Sequence, residues 1–193
     1  MDSPTPAHSE AHLPKASWNE DLLYQYEQLE LSRSSIRLCR VLPGTLEDPI
    51  HCELYRDWIN SATCHYEAPS YQWKDPPSDC QIMLGSQSFY VRPNLWAALK
   101  ALRSTTKERI LWIDALCINE EDIQERNHQV AIMHAIYSSA ERVLVWLGNA
   151  ADSSDVYFQY VNSERCLQST SASKMFLAAK KSLCKRSYWG RAW

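Results

Sequence analysis

The segment from Arg109 to Gly148 constrains the fold more than any other part of the chain, because two short apolar runs enclose one stretch of helical spacing. Ile110-Leu111-Trp112-Ile113 stops at Asp114, and Val143-Leu144-Val145-Trp146-Leu147 stops at Gly148. Both runs are rich in branched and aromatic residues and barely alternate, the pattern of strands buried on two faces of a parallel sheet. Between them Asn119 reads as an N-cap, and Glu120, Glu121 and Asp122 crowd the first turn, where the helix dipole favours negative charge. Ile123, Val130, Met133, Ile136, Tyr137 and Ala140 then fall on one apolar stripe. Strand, helix, strand at this length predicts a right-handed crossover unit. Its loop from Asp114 to Asn119 follows the carboxyl end of the first strand, the edge at which open α/β sheets bind ligands.

The flanking sequence adds further elements. Residues 1–17 are polar and proline-bearing without periodicity, which predicts a disordered tail. Residues 18–35 form a lead-in segment in which Leu22, Leu23, Tyr26 and Leu29 suit a helix or an extended chain. Ile36–Leu42 alternates up to the Pro43-Gly44 turn and reads as a strand; His51–Tyr55 is a second, and Tyr66–Trp73 a third that runs into a loop. Gln81–Leu84, Gly85-Ser86 and Gln87–Val91 read as an antiparallel hairpin with a II′-type turn. Asn94 is placed as the N-cap of a helix whose apolar face is Leu95, Ala98, Leu99 and Leu102. Residues 152–161 suit a helix or a loop, and Ser173–Leu183 has helical spacing. The fold class is therefore α/β: a central, mostly parallel sheet flanked by helices, with the hairpin as an insertion.

Several function classes lose their footing here. Twenty basic against twenty-three acidic residues give a net charge of −3, with no basic cluster for nucleic acid. No apolar run approaches the roughly eighteen residues of a membrane span, and the first residues lack an apolar signal core, so a cytoplasmic protein is expected. Four glycines supply no dinucleotide, phosphate-loop or nucleophile-elbow motif. The seven cysteines are scattered without a C-x-x-C pair and read as reduced, buried thiols. His51, Cys52, Cys64 and His65 suggest a zinc site, but neighbours on a strand point to opposite faces, so no metal is assigned.

Several segments, taken in order, resemble the heterokaryon incompatibility (HET) domain of filamentous fungi over residues 36–193. Tyr66-Glu67-Ala68-Pro69-Ser70-Tyr71-Gln72-Trp73 is similar to its Y-x-A-L-S-Y-x-W-G motif, and Asn94-Leu95 with Ala98-Leu99 to its N-L-x-x-A-L. Leu111–Asn119 resembles L-W-I-D-A-x-C-I-N-Q, followed at the family's spacing by Glu125-Arg126, Gln129-Val130, Met133, Ile136-Tyr137 and Trp146-Leu147-Gly148. Arg186–Trp193 resembles R-x-W-x-x-R-x-W. Pro69, Lys74 and Glu120 depart from the family's Leu, Gly and Gln. The family continues past the last tryptophan, so a C-terminally truncated domain is expected.

The resemblance implies an effector of fungal non-self recognition that triggers incompatibility cell death, and a fold distantly similar to Toll/interleukin-receptor (TIR) domains. Some TIR domains cleave NAD with a glutamate on the helix after a sheet strand. By that analogy Glu125 is the candidate catalytic carboxylate, with NAD a substrate and no bound cofactor. Its other reading is a surface carboxylate paired along its helix. Asp114 either binds a ribose hydroxyl or accepts N–H groups of its own turn. Asn119 is a cap or a ligand contact, and Arg126 clamps phosphate or pairs with Glu121 or Asp122. Ser70, Tyr71 and Trp73 line a ligand loop, where the aromatics stack on a ring or pack on a helix. Cys117, between Leu116 and Ile118, reads as an inert buried thiol. Two competing outputs remain: a non-enzymatic module acting by self-association or through a receptor-type protein partner, and an inactive fragment.

Overall fold

The computed structural model describes residues 24–31, 34–59, 61–73, 80–151, 154, 158, 180–185 and 188. The tail 1–17, the start of the lead-in segment and nearly all of 152–179 lie outside the described residues; within the expected 173–183 helix, residues 180–183 are helical.

Among the described residues seven strands form one sheet: β1 (Ser35–Val41), β2 (His51–Trp58), β3 (Glu67–Ser70), β4 (Gln81–Leu84), β5 (Gln87–Tyr90), β6 (Arg109–Leu111) and β7 (Arg142–Val145). Helices α1 (Pro93–Leu102), α2 (Asp114–Cys117) and α3 (Ile123–Ser139) accompany them, apart from the helical residues near 180. The strand order is β5-β4-β2-β1-β6-β3-β7. The α/β class holds, but the sheet is mixed: its strand pairs divide evenly between the two directions, and the antiparallel ones pair over more residues. β1–β2, β1–β6 and β4–β5 run antiparallel, whereas β2–β4, β3–β6 and β3–β7 run parallel.

The expectation of a mostly parallel sheet fails at β1 and β2. The chain between Val41 and His51 is shorter than the roughly dozen residues a parallel crossover needs, so β2 folds straight back on β1. Arg103, just past α1, fixes that connection by donating to the carbonyls of Thr45, Asp48 (3.0 Å) and Pro49 (2.7 Å). The crossover unit survives in modified form. β6 and β7 both run parallel to β3, which lies between them. The hairpin forms as expected, with Leu84 opposite Gln87 and Gly85 at φ +63°, a left-handed turn that glycine adopts without strain. It extends one end of the sheet through β4 on β2.

The other end is β7, and it is not buried on two faces: Val143 and Val145 stand exposed on the edge strand. Trp112 and Ile113, which continue β6, are instead fully buried with Leu111, Leu116 and Ile136. Full burial of such side chains contributes about 1.5–3 kcal/mol each. The Tyr66 hydroxyl donates to the Ile136 carbonyl (2.5 Å), and the Trp112 and Tyr137 rings meet edge to face at 5.5 Å, fastening α3 to the core.

The buried face of α3 also differs from the expected stripe. Ile123 (62% exposed) and Val130 (55%) face outward, whereas Glu125, Gln129 and Ile136 face the core. β1 supplies the reason. Its Arg37 side chain and Ser35 carbonyl meet Glu125 and Gln129, so two polar residues enter the interior with partners. Asp122 caps this helix by accepting from Gln124 N–H (2.9 Å) and Glu125 N–H (3.1 Å). Asn119, the cap expected from the sequence, lies outside the helix and accepts from Glu121 N–H (3.2 Å). Among the described residues no helix is long and apolar enough to cross a membrane.

Candidate functional site

The carboxyl ends of β3, β6 and β7 lie at one rim of the sheet, since the three strands run the same way. Asp114 opens α2 just beyond β6, and Tyr71 and Trp73 follow β3. The Tyr71 hydroxyl donates to Asp114 Oδ1 (2.8 Å) and Trp73 Nε1 to Oδ2 (3.1 Å). Ala115 N–H also donates to Oδ1 (2.8 Å), so Asp114 serves its own turn and the neighbouring loop together. Burial, then the Asp114 charge, pushes the Tyr71 phenol well above its ordinary range, which keeps it a donor.

Asn94, expected as an N-cap, does other work. The helix begins at Pro93 after Arg92, and Asn94 donates from Nδ2 to the Gln72 carbonyl (2.6 Å) while accepting from Trp146 Nε1 (3.0 Å). One side chain thereby ties the loop after β3 to the residue after β7.

Two adjoining recesses open here. The smaller, about 170 Å³, is lined by Tyr71, Trp73, Phe89 to Arg92, Leu95, Ala115 and Glu120. The larger, about 400 Å³, lies between the lead-in residues Tyr24–Tyr26, the hairpin residues Ser88–Tyr90 and the loop from Ala115 to Glu121. They share Phe89, Tyr90, Ala115 and Glu120, and the larger falls within the size range of small-molecule sites. The Arg92 guanidinium lies 5.3 Å from the Trp73 ring centre, a cation–π contact at the rim. Partial removal from water pushes the Glu120 carboxyl above the usual carboxylate range; Arg126 opposes this shift and Asp114 adds to it.

Glu125 lies elsewhere. It is buried, lines neither recess, and both its oxygens accept from Arg37. Oε1 also accepts from Asn119 N–H (2.7 Å), so the carboxylate holds the loop that carries Glu120 from behind. Arg37 reaches further, donating to the carbonyls of Cys117 (3.2 Å) and Glu27, and it stacks 4.9 Å from the Tyr26 ring centre.

The remaining predicted residues divide. Asn119 lines the larger recess. Arg126, in the first turn of α3, donates to the Glu120 carbonyl (3.1 Å), tying the helix to the loop before it rather than bonding the Glu121 or Asp122 carboxylate. Ser70 is buried at the end of β3, with its hydroxyl 3.0 Å from that of Tyr188. Cys117 is a buried thiol that burial pushes up to about 12, which removes the thiolate a nucleophile needs. Among the described residues no three or more His, Cys, Asp or Glu side chains converge as a metal site.

The sequence profile described as "Heterokaryon incompatibility protein (HET)" matches residues 66–193. The chain belongs to the HET family. It is 34% identical over 149 residues to heterokaryon incompatibility protein 6, OR allele, of Neurospora crassa, a match covering 69% of this chain. The chain spans 22% of that relative's length. No solved structure matches.

The rim described above therefore lies inside the HET match, whereas β1, β2 and the lead-in segment precede it. The recess wall also draws on residues outside the quoted motifs. Phe89, Tyr90 and Arg92 sit on or just after the hairpin, and Tyr24 and Tyr26 on the lead-in; none belongs to a quoted HET motif, and only the fold brings them to Asp114. Glu120 did carry a signal, as the departure from the motif's glutamine. The same substitution puts a carboxylate in the recess wall.

Proposed function

We propose that this HET domain is an effector of fungal non-self recognition whose output, incompatibility cell death, comes from cleavage of NAD at the rim of β3 and β6. The observation that carries the reading is the Tyr71–Asp114–Trp73 cluster beside a two-lobed recess at the carboxyl ends of parallel strands. Residues 66–193 match the HET profile, and the analogy to NAD-cleaving TIR domains supplies the reaction class. In the cleavage, the bond between ribose C1′ and the pyridinium nitrogen breaks and its electron pair stays with the ring, releasing neutral nicotinamide. A water oxygen bonds to C1′, and its proton passes to a carboxylate and then to solvent.

Oxocarbenium-like charge at C1′ calls for a carboxylate in the cleft. Glu120 is the acidic side chain common to both lobes. Asp114 lines neither lobe and acts through Tyr71 and Trp73, whose rings it holds in the wall of the smaller one. Glu125 acts from behind as a positioning residue, through Asn119 N–H and Arg37. The test is nicotinamide release from NAD by the purified chain. Glu120→Gln is expected to abolish release with an unchanged melting curve, whereas Glu125→Gln lowers the melting temperature as well. No release from the folded wild-type chain at high protein concentration would overturn the enzymatic reading.

A second reading has its own observation. Val143 and Val145 stand exposed along the edge strand β7, and an exposed apolar edge is a template for pairing with another strand. It favours a non-enzymatic module that signals by self-association, tested by Val143→Lys/Val145→Lys in a cell-death assay.

A further inference from the structure

The larger recess has a composition that the cleavage chemistry alone does not demand. Its walls are aromatic: Tyr24 and Tyr26 from the lead-in segment, Phe89 and Tyr90 from the hairpin. Among the described residues its charged lining groups are Glu120 and Glu121, both acidic, with Asn119 between them and Ile118. Among the described residues, the cations nearby are already engaged. Arg37 is matched by Glu125, and Arg126 donates to the Glu120 carbonyl. Arg92 belongs to the smaller lobe, over Trp73.

π-Faces combined with carboxylates, in a partly desolvated hollow, select cations over neutral molecules of the same shape. Tyr26 already holds the Arg37 guanidinium against its ring, so the aromatic wall is used this way within the protein itself. Tyr24 and Tyr26 meet edge to face at 5.1 Å and 85°, which fixes their rings relative to each other. Burial raises both phenols, so the wall itself carries no negative charge at neutral pH and any preference for cations comes from the π-faces and the glutamates. The Tyr26 hydroxyl donates to the Leu116 carbonyl (3.2 Å), tying the lead-in wall to α2 on the opposite side.

We infer that the larger recess is a seat for a planar organic cation of the pyridinium type, with Tyr24, Phe89 and Tyr90 as its aromatic walls and Glu120 as its counter-charge. The inference deepens the NAD reading and rests on it for the natural ligand, since the scissile ring of NAD is such a cation and its released product is neutral. The seat then favours the ring before cleavage and lets it go afterwards. It also gives the lead-in segment, which lies outside the HET profile match, a part in ligand binding.

The experiment compares 1-methylnicotinamide, a cation, with neutral nicotinamide by calorimetric titration and ligand-observed NMR on the full chain. The cation is expected to bind at least about tenfold tighter, about 1.4 kcal/mol. Glu120→Gln removes most of that preference with the melting curve retained, and Phe89→Ala weakens both ligands. Equal binding of the two, tighter binding of the neutral amide, or no binding of either overturns the seat. If the cation is preferred but NAD is not cleaved, the seat stands and the hydrolase reading falls. If NAD is cleaved while cation and amide bind alike, the hydrolase reading stands and the seat falls.

Discussion

Arg37 of β1 and Glu125 of α3, 88 residues apart, form a bidentate ion pair with each side chain only 2% exposed. Such a pair offsets a large desolvation cost only while both partners are present. Glu125→Ala leaves the guanidinium uncompensated in the interior and is expected to destabilise the fold by about 3–5 kcal/mol. Arg37→Met does the same from the other side. The double variant Arg37→Met/Glu125→Leu should be markedly less destabilised than the sum of the singles, because no buried charge remains. Urea unfolding of the four proteins checks this. Additive losses would mean that the two side chains act independently.

A second buried carboxylate ties the sheet together and makes stability depend on pH. Glu67 of β3 accepts from Arg109 of β6 and pairs with Arg142 of β7 at 2.8 Å. The Arg109 hydrogen bond, followed by the charges of Arg109 and Arg142, lowers its pKa against an opposing desolvation. A carboxyl lowered on folding contributes stability that is fully present above its unfolded value, about 4.3. That contribution is lost as the pH falls through the lower folded value. The melting-temperature gap between wild type and Glu67→Gln should therefore be steady from pH 5 to 7 and close in acid. A gap that stays constant down to about pH 2 would show that the charge of Glu67 is not what holds the strands.

What could be read from the chain, and what could not, follows from the range of the interactions involved. β1, the hairpin, α1 and α3 were legible because alternation, Gly85 and helical spacing are local signals. The sheet's directionality was not, because it depends on whether a connection such as residues 42–50 is too short for a crossover. The α3 stripe misled for a different reason. Hydrophobic spacing cannot show that Glu125 and Gln129 will find Arg37 and the Ser35 carbonyl, 88 and 94 residues away. In the candidate site, Tyr71, Trp73 and Asp114 were legible as neighbours because they sit in motifs at strand ends, and hydrogen bonds join them. Tyr24, Phe89 and Arg92 were invisible, since only strand order brings the lead-in and the hairpin to that rim.

The thiols offer a test of core packing. Cys39 and Cys117 are buried and their pKa values are raised; for Cys39 a hydrogen bond with Cys52 comes first, then burial, whereas for Cys117 burial dominates. Alkylation requires a thiolate and access, and these groups have neither. Brief iodoacetamide treatment of the native protein at pH 8, read by peptide mass spectrometry, should modify exposed Cys184 and leave Cys39, Cys52 and Cys117 intact. In denaturant all four should react. Rapid native modification of Cys117 would contradict the closed core around α2.

Asp114 joins the two loops of the rim, so its removal should affect binding more than folding. Its carboxylate accepts from Tyr71, Trp73 and Ala115, and two of these donors sit in the loop after β3. Asp114→Ala leaves the buried Tyr71 hydroxyl without this acceptor, at a cost of about 1–3 kcal/mol. Trp73, exposed at the rim, can turn its indole N–H to water, so its lost bond weighs less on stability than on loop position. Tyr71→Phe/Asp114→Ala removes that hydroxyl as well and should recover part of the stability lost by Asp114→Ala alone, while the Trp73 loop stays unfastened. The readouts are a urea melt and the intrinsic fluorescence change on adding 1-methylnicotinamide, compared with a Trp73→Phe control. Recovery of stability without recovery of the fluorescence response separates the structural part of Asp114 from its part in forming the recess. Recovery of both would mean that the loop holds its place without this carboxylate.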